Sequence, residues 1–187
     1  MLIRPIHAVL SLLMTGVQPA LNGQQGMYTG KAGTVHFKSE APLEIIEAGS
    51  KQLSGAINPE TNGVAFSVRI NSFQGFNSAV QRQHFMENYM EATRFPVATF
   101  TGKIIEKINY IEPGEYDVRV KGILNIHGIN VERIIPGSLV VLNDTFLVLV
   151  SFSVLLNDHA INVPRLLSQK IAETIYVQVE MSLQKTE

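Results

Sequence analysis

In YDVRVKGILNIHGINV, residues 116–131, apolar Tyr116, Val118, Val120, Leu124 and Ile126 take every second position, and Asp117, Arg119, Lys121 and Asn125 fall between them. A strand sends successive side chains to opposite faces, so this period of two describes a strand with one dry face and one wet face. His127-Gly128 then interrupts it. A two-residue hairpin of the Asn-Gly kind needs positive φ at its loop positions; histidine tolerates that better than a β-branched residue, and glycine adopts it freely. Folding the chain back at this point sets Ile126 opposite Ile129 and Leu124 opposite Val131, joining apolar to apolar, whereas a slip of one residue would send each apolar side chain to the wrong face.

The same test works further along. With Asn143-Asp144 as a loop, Val141 faces Phe146 and Leu139 faces Val148. The strand at 146–154 (FLVLVSFSV) begins apolar on both faces, which predicts cover on its outer side. Upstream, Val64, Phe66, Val68 and Ile70 alternate with Ala65, Ser67 and Arg69; near the C-terminus Ile175, Val177, Val179, Met181 and Leu183 do the same. Shorter candidates lie at 34–39, 43–47, 52–57 and 97–105, and turn residues at Asn62-Gly63 and Pro113-Gly114 separate neighbours. Eight or nine antiparallel strands result, with no repeat or low-complexity linker to mark a second domain. One-faced strands must bury their dry sides against one another. An up-and-down barrel does so and removes exposed edges; a two-sheet sandwich is the competing solution.

At 187 residues, 45% hydrophobic and 17% charged, the chain suits one domain with a sizeable core. A net charge of −1 with no stripe of Lys or Arg argues against nucleic acid as a partner. The N-terminus has a different character: Arg4, an apolar run IHAVLSLLMTGV at 6–17 and small residues from Ala20 to Gly23 have the layout of a cleavable signal peptide. Residues 1–23 are therefore expected to be removed, leaving 24–187 as a single domain in the periplasm or secreted medium; a buried N-terminal strand or helix is the competing reading. The run is shorter than the roughly 20 residues a membrane-spanning helix requires. Without cysteine, such an exported domain depends on its core rather than on disulfides.

One long connection breaks the meander, and it contains QRQHFMENYMEATRFP (81–96). Phe85, Met86, Tyr89 and Met90 recur at i, i+1, i+4 and i+5, which predicts an amphipathic helix over 78–91 laid across the sheet or an open barrel end, stopped by Pro96. The polar members, His84 with Glu87 and Glu91, invite a catalytic or metal reading, yet solvated charges on a packing helix account for them. His36, His84, His127 and His159 are dispersed, with no H-x-x-x-H and no thiolate, so no metal site or cofactor is expected. There is no nucleophile elbow and no phosphate loop. Asp158 and His159 are adjacent, and adjacent strand residues face opposite ways.

Three stretches together resemble the YceI-like, polyisoprenoid-binding family: RQHFMENYMEATRFPVATFTGKI (82–104), GILNIHGI (122–129) and FSVLLNDHAINVPRLLSQKIAETIYVQVEMSL (152–183). The resemblance implies an all-β fold with one amphipathic helix, an antiparallel eight-stranded lipocalin-like barrel whose lumen takes a long apolar isoprenoid chain. The physical reading is compatible: an eight-stranded barrel is just wide enough to be filled by side chains or to hold one small ligand. Candidate lumen residues are Phe37, Phe66, Val68, Phe100, Leu124, Phe146 and Phe152. In the helical cap, Phe85 and Tyr89 are expected to face the ligand, with Arg82 and His84 at the rim. Whether the phenylalanines instead fill the interior stays open at this point. Three functions follow: an exported, non-enzymatic carrier or store for an isoprenoid or other long-chain lipid; an enzyme acting on such a lipid through His127, His84 or Arg82; or a ligand-free envelope interaction module. A homodimer is compatible with each.

Overall fold

The computed structural model describes residues 26–186, so the expected signal segment lies outside the described residues. Eight antiparallel strands close into a barrel in simple sequence order: β1 (Tyr28–Glu40), β2 (Ile45–Asn58), β3 (Gly63–Arg69), β4 (Val97–Ile104), β5 (Gly114–Ile126), β6 (Ile129–Val141), β7 (Thr145–Leu155) and β8 (Thr174–Lys185), with β8 returning to β1. The sandwich is excluded by this closure. Both hairpins have the expected register, with Ile126 paired to Ile129, Leu124 to Val131, Val141 to Phe146 and Leu139 to Val148. The separate strand candidates at 43–47 and 52–57 are one continuous β2, because Ala48 and Ser50 carry the inward alternation across the gap between them.

The alternation seen in the sequence fixes what each face meets. Phe146, Leu139, Met181, Leu183 and Val141 are almost completely buried at one end of the barrel. There the Tyr28 ring stacks on Phe146 at 3.6 Å between centroids, and Tyr110, from the β4–β5 connection, closes over it at 5.5 Å. Tyr110 donates its hydroxyl to Asn62 Oδ1 at 3.0 Å; burial pushes its pKa up to about 12. The outer face of β7 is less covered than its sequence predicts, for Leu149 is 42% exposed. Its neighbours across the sheet are Ser138 on β6 and Glu180 on β8, while Leu147 on the same face is half-buried beside Val140; an exposed leucine of that kind is ordinary.

Toward the other end the barrel opens. β6 and β7 pair only from Gly137–Val150 to Val141–Phe146, then diverge. The Arg133 guanidinium spans the divergence, donating to the Ser153 carbonyl at 2.9 Å. β2 and β3 likewise pair only over Ser54–Asn58 and Gly63–Ser67, and higher up β2 takes its partner from the β3–β4 connection through paired Gly49 and Gln74 backbone bonds of 2.8 and 2.9 Å. Sheet groups that would be orphaned by the flare are thus satisfied by a side chain and by a loop.

The β5–β6 turn lies at this open end, with His127 at φ 52° and Gly128 at φ 74°. A Cβ on Gly128 would also come within 2.5 Å of the Phe95 ring. Gly128→Val is therefore expected to destabilise the protein by about 2–3 kcal/mol, from left-handed strain and overpacking together, as measured by urea denaturation.

Candidate functional site

The inward rows of all eight strands do not fill the barrel. They leave a cavity of about 550 Å³, inside the range typical of ligand pockets. Its wall is almost wholly apolar: Val35 and Phe37 from β1, Leu53 and Ile57 from β2, Val64, Phe66 and Val68 from β3, Phe100 from β4, Leu124 from β5, Leu139 from β6, Phe152 from β7 and Val177 from β8. Phe66 and Phe100, paired across β3 and β4, form part of this wall and leave the cavity open beside them, so the interior is not filled solid.

The lid comes from the β3–β4 connection. Ser78 caps a short helix, α1 (Ala79–His84), by accepting a hydrogen bond from the Gln81 amide at 3.1 Å. From Phe85 to Tyr89 the chain widens into a π turn, closed by Met90 N–H to Phe85 O at 2.9 Å. The single α-helix predicted over 78–91 is therefore split into an α and a π segment. The wider turn keeps Phe85, Met86, Tyr89 and Met90 packed inward, where Met90 meets Ile70 and Ile161. Phe85 joins Phe37, Phe73 and Phe76 at centroid distances of 5.5, 5.7 and 5.0 Å.

Phe37, Phe66, Val68, Phe100, Leu124, Phe152, Phe85, Tyr89 and His84 all border the cavity. Arg82 and Phe146 do not. Phe146 belongs to the packed closed end, and Arg82 donates from Nε to Phe73 O at 3.0 Å and from Nη2 to Asn71 O at 2.9 Å. Those two bonds tie α1 to the connection that presents Phe73, so Arg82 holds the lid. The mouth also contains Glu44, Gln81, Leu167 and Lys170, which sequence reasoning missed. Gln81 Nε2 donates to Glu44 Oε1 at 2.9 Å, joining α1 to the β1–β2 connection. No periodic signal marks Leu167 or Lys170, which sit in the irregular β7–β8 connection.

At the far end of the lid three connections meet around two histidines. His127 Nδ1 donates to the His159 carbonyl at 3.1 Å, and His159 Nδ1 donates to the Ile129 carbonyl at 3.3 Å. Glu91, Oε1 of which lies 3.9 Å from His127 Nε2, has φ 41°, and Ala160 has φ 54°. Left-handed backbone on non-glycine residues stores strain that the surrounding contacts must hold. Both Nε2 atoms are buried without a hydrogen-bond partner among the described residues. Burial lowers the His159 pKa below its ordinary value of 6.5, outweighing the favourable Ile129 and Ile126 carbonyls and Asp158, while Arg133 lowers it further. The unfolded chain thus binds this proton more readily than the native one. Stability is expected to be full above about pH 6.5 and to fall as pH drops below it; His159→Gln should flatten that part of a urea-midpoint profile measured between pH 5 and 8.

The geometry defines an antiparallel eight-stranded barrel with a helix-covered, apolar internal cavity. The chain belongs to the YceI-like family: the model of the YceI-like domain matches residues 18–183. Among solved structures, a polyisoprenoid binding domain from Saccharophagus degradans, implicated in plant cell wall breakdown, is similar at 15% identity and a TM-score of 0.74, covering 87% of this chain and 99% of that one. Burkholderia cenocepacia BcnA is similar at 15% identity and a TM-score of 0.65 (80% and 95% covered). The Campylobacter jejuni YCEI protein is similar at 13% and 0.59 (75% and 85% covered). At such identities the likeness is one of fold. No curated protein sequence matches the chain.

Proposed function

We propose that this protein is an exported container for an isoprenoid or similar long-chain lipid, which it carries, stores or sequesters without chemical change. The observation that carries the reading is the apolar cavity of about 550 Å³ enclosed by the strands and roofed by Phe85 and Tyr89. A flexible hydrocarbon gains roughly 0.8 kcal/mol for each methylene it moves from water into such a lumen, so affinity needs few polar contacts. The solved relative from Saccharophagus degradans, described as polyisoprenoid binding, supports the same ligand class. Among the three groups weighed for an enzyme, only His84 borders the lumen; Arg82 and His127 make structural bonds elsewhere. Among the described residues no cluster of three His, Cys, Asp or Glu side chains is placed to hold a metal ion, and no helix is long and apolar enough to cross a membrane.

The test is organic extraction of the purified protein followed by mass spectrometry, together with titration of the stripped protein with geranylgeraniol. An extracted isoprenoid or saturable uptake is expected. Protein that yields no lipid and takes up none would leave the ligand-free interaction module as the better reading. Export is tested separately by intact mass: a mature chain beginning near Gln24 or Gln25 is expected, and native protein retaining Met1 would refute it.

A further inference from the structure

The cavity reaches the surface at a rim built from three connections. Backbone bonding from Leu43 N–H to Gln169 O at 2.8 Å ties the β1–β2 connection to the β7–β8 connection, and the Gln81–Glu44 bond ties the first to α1. Each of the three presents one large apolar side chain to solvent: Leu43 at 70% exposure, Val80 at 58% and Leu166 at 94%. Val80 also borders the cavity, so the apolar lining runs without interruption onto the outer rim. Arg165 and Lys170 flank Leu166, are exposed, and enter no ion pair among the described residues. The nearby Glu44 is held by Gln81, and the exposed carboxylates on that connection are Glu173 and Asp158, the latter beside the buried His159.

We propose that this rim docks on an anionic lipid bilayer, seating Leu43, Val80 and Leu166 among the acyl chains with Arg165 and Lys170 at the phosphate level. The inference rests on the container reading and gives it a route. A long hydrocarbon leaving a membrane for a free barrel would cross water with its whole chain exposed, whereas a rim seated in the interface lets it slide from one apolar medium into the next. Apolar anchors with flanking cations are the general composition of interfacial binding, and charge attraction to anionic lipids adds to apolar insertion. The mouth and the surface are continuous, which makes the bilayer the occupant that fits both the apolar anchors and the charges.

The chain has no tryptophan, so a single introduced one reports its own position. Leu43→Trp and Leu166→Trp are compared with Ile111→Trp, whose parent side chain is 78% exposed on the β4–β5 connection at the closed end. On vesicles of equal phosphatidylglycerol and phosphatidylcholine, the first two are expected to shift their emission to the blue and to be quenched by brominated acyl chains, and the third to stay water-like. Arg165→Glu should weaken vesicle binding roughly tenfold or more, and high salt should act in the same direction. Geranylgeraniol delivered in ethanol should still be taken up by Arg165→Glu and Leu166→Asp, because neither residue borders the cavity. Rim tryptophans that remain water-like at saturating lipid, equal insertion of Ile111→Trp, or equal binding to pure phosphatidylcholine would each overturn the proposal. A parent protein that inserts its rim yet takes up no geranylgeraniol would refute the container reading while the docking surface stood.

Discussion

Val68→Glu is expected to abolish lipid uptake while the barrel still forms. Val68 is 8% exposed, sits on the inner row of β3 opposite Ala98 of β4 and borders the cavity. No cation among the cavity-lining residues lies deep beside it: Lys170 and His84 belong to the mouth. An ionised carboxylate left unpaired there costs several kcal/mol. Its pKa rises in response, yet the neutral acid still needs hydrogen-bond partners that a hydrocarbon does not supply. Water then enters the lumen to solvate the new group, and a lipid must displace that water to bind. At about 1.4 kcal/mol per tenfold, affinity for geranylgeraniol should fall at least about a hundredfold. Circular dichroism and a melting curve measured alongside separate a wet lumen from an unfolded barrel, and Val68→Leu serves as the size control that keeps binding. Phe152→Glu should have a smaller effect, because Phe152 is half-buried beside the divergence of β6 and β7, where a carboxylate can reach solvent. Native-like Val68→Glu with undiminished uptake would mean that the ligand does not occupy the lumen.

The barrel was legible because most of its strands alternate between an inward and an outward face, and because two short hairpins lock the register of three of them, β5, β6 and β7. A wrong register at Ile126–Ile129 would have turned Leu124 outward, so local pattern and global fold constrain each other there. The lid was legible in outline for a similar reason: Phe85, Met86, Tyr89 and Met90 mark one face at helical spacing. Its π turn was not, since a widened turn depends on what the helix packs against, here Ile70, Ile161 and the phenylalanines of the connection. Arg82 shows the limit from the other side. A guanidinium on a cap looks like a head-group contact, but its bonds go to backbone carbonyls of Asn71 and Phe73, and no spacing in the sequence announces which loop will pass beneath a helix. Leu43, Leu166 and Lys170 were invisible because they meet only through tertiary closure of two irregular connections. Nothing about the adjacency of Asp158 and His159 announces that the His159 ring is completely buried under the β5–β6 hairpin.

Phe85→Ala is expected to loosen the lid far more than it loosens the barrel. Its ring contacts three others, Phe37 on β1 and Phe73 and Phe76 in the connection, and it stands where α1 gives way to the π turn. Removing a fully buried phenylalanine costs about 3–5 kcal/mol in lost transfer energy and residual cavity, and half-buried Phe85 should lie at the lower end of that range. Here the new space merges with the lumen, and the loss falls on contacts between the lid and the wall. The barrel strands keep their own pairing, so the lid is the element whose local opening becomes easier. A lipid held under it should then escape faster: if about 3 kcal/mol of closure is lost, release of bound geranylgeraniol should accelerate roughly a hundredfold, with association little changed. Phe146→Ala is the matched comparison. It removes a ring of the same size from the closed end, where fully buried Phe146 stacks on Tyr28, and should destabilise the fold more than Phe85→Ala does without changing the release rate of lipid from molecules that remain folded. Hydrogen exchange should show the same division, with protection lost over 79–90 in Phe85→Ala and retained there in Phe146→Ala. If both variants released lipid at the same rate, the segment would be a packing element of the barrel and the gate would have to be sought at the divergence between β6 and β7.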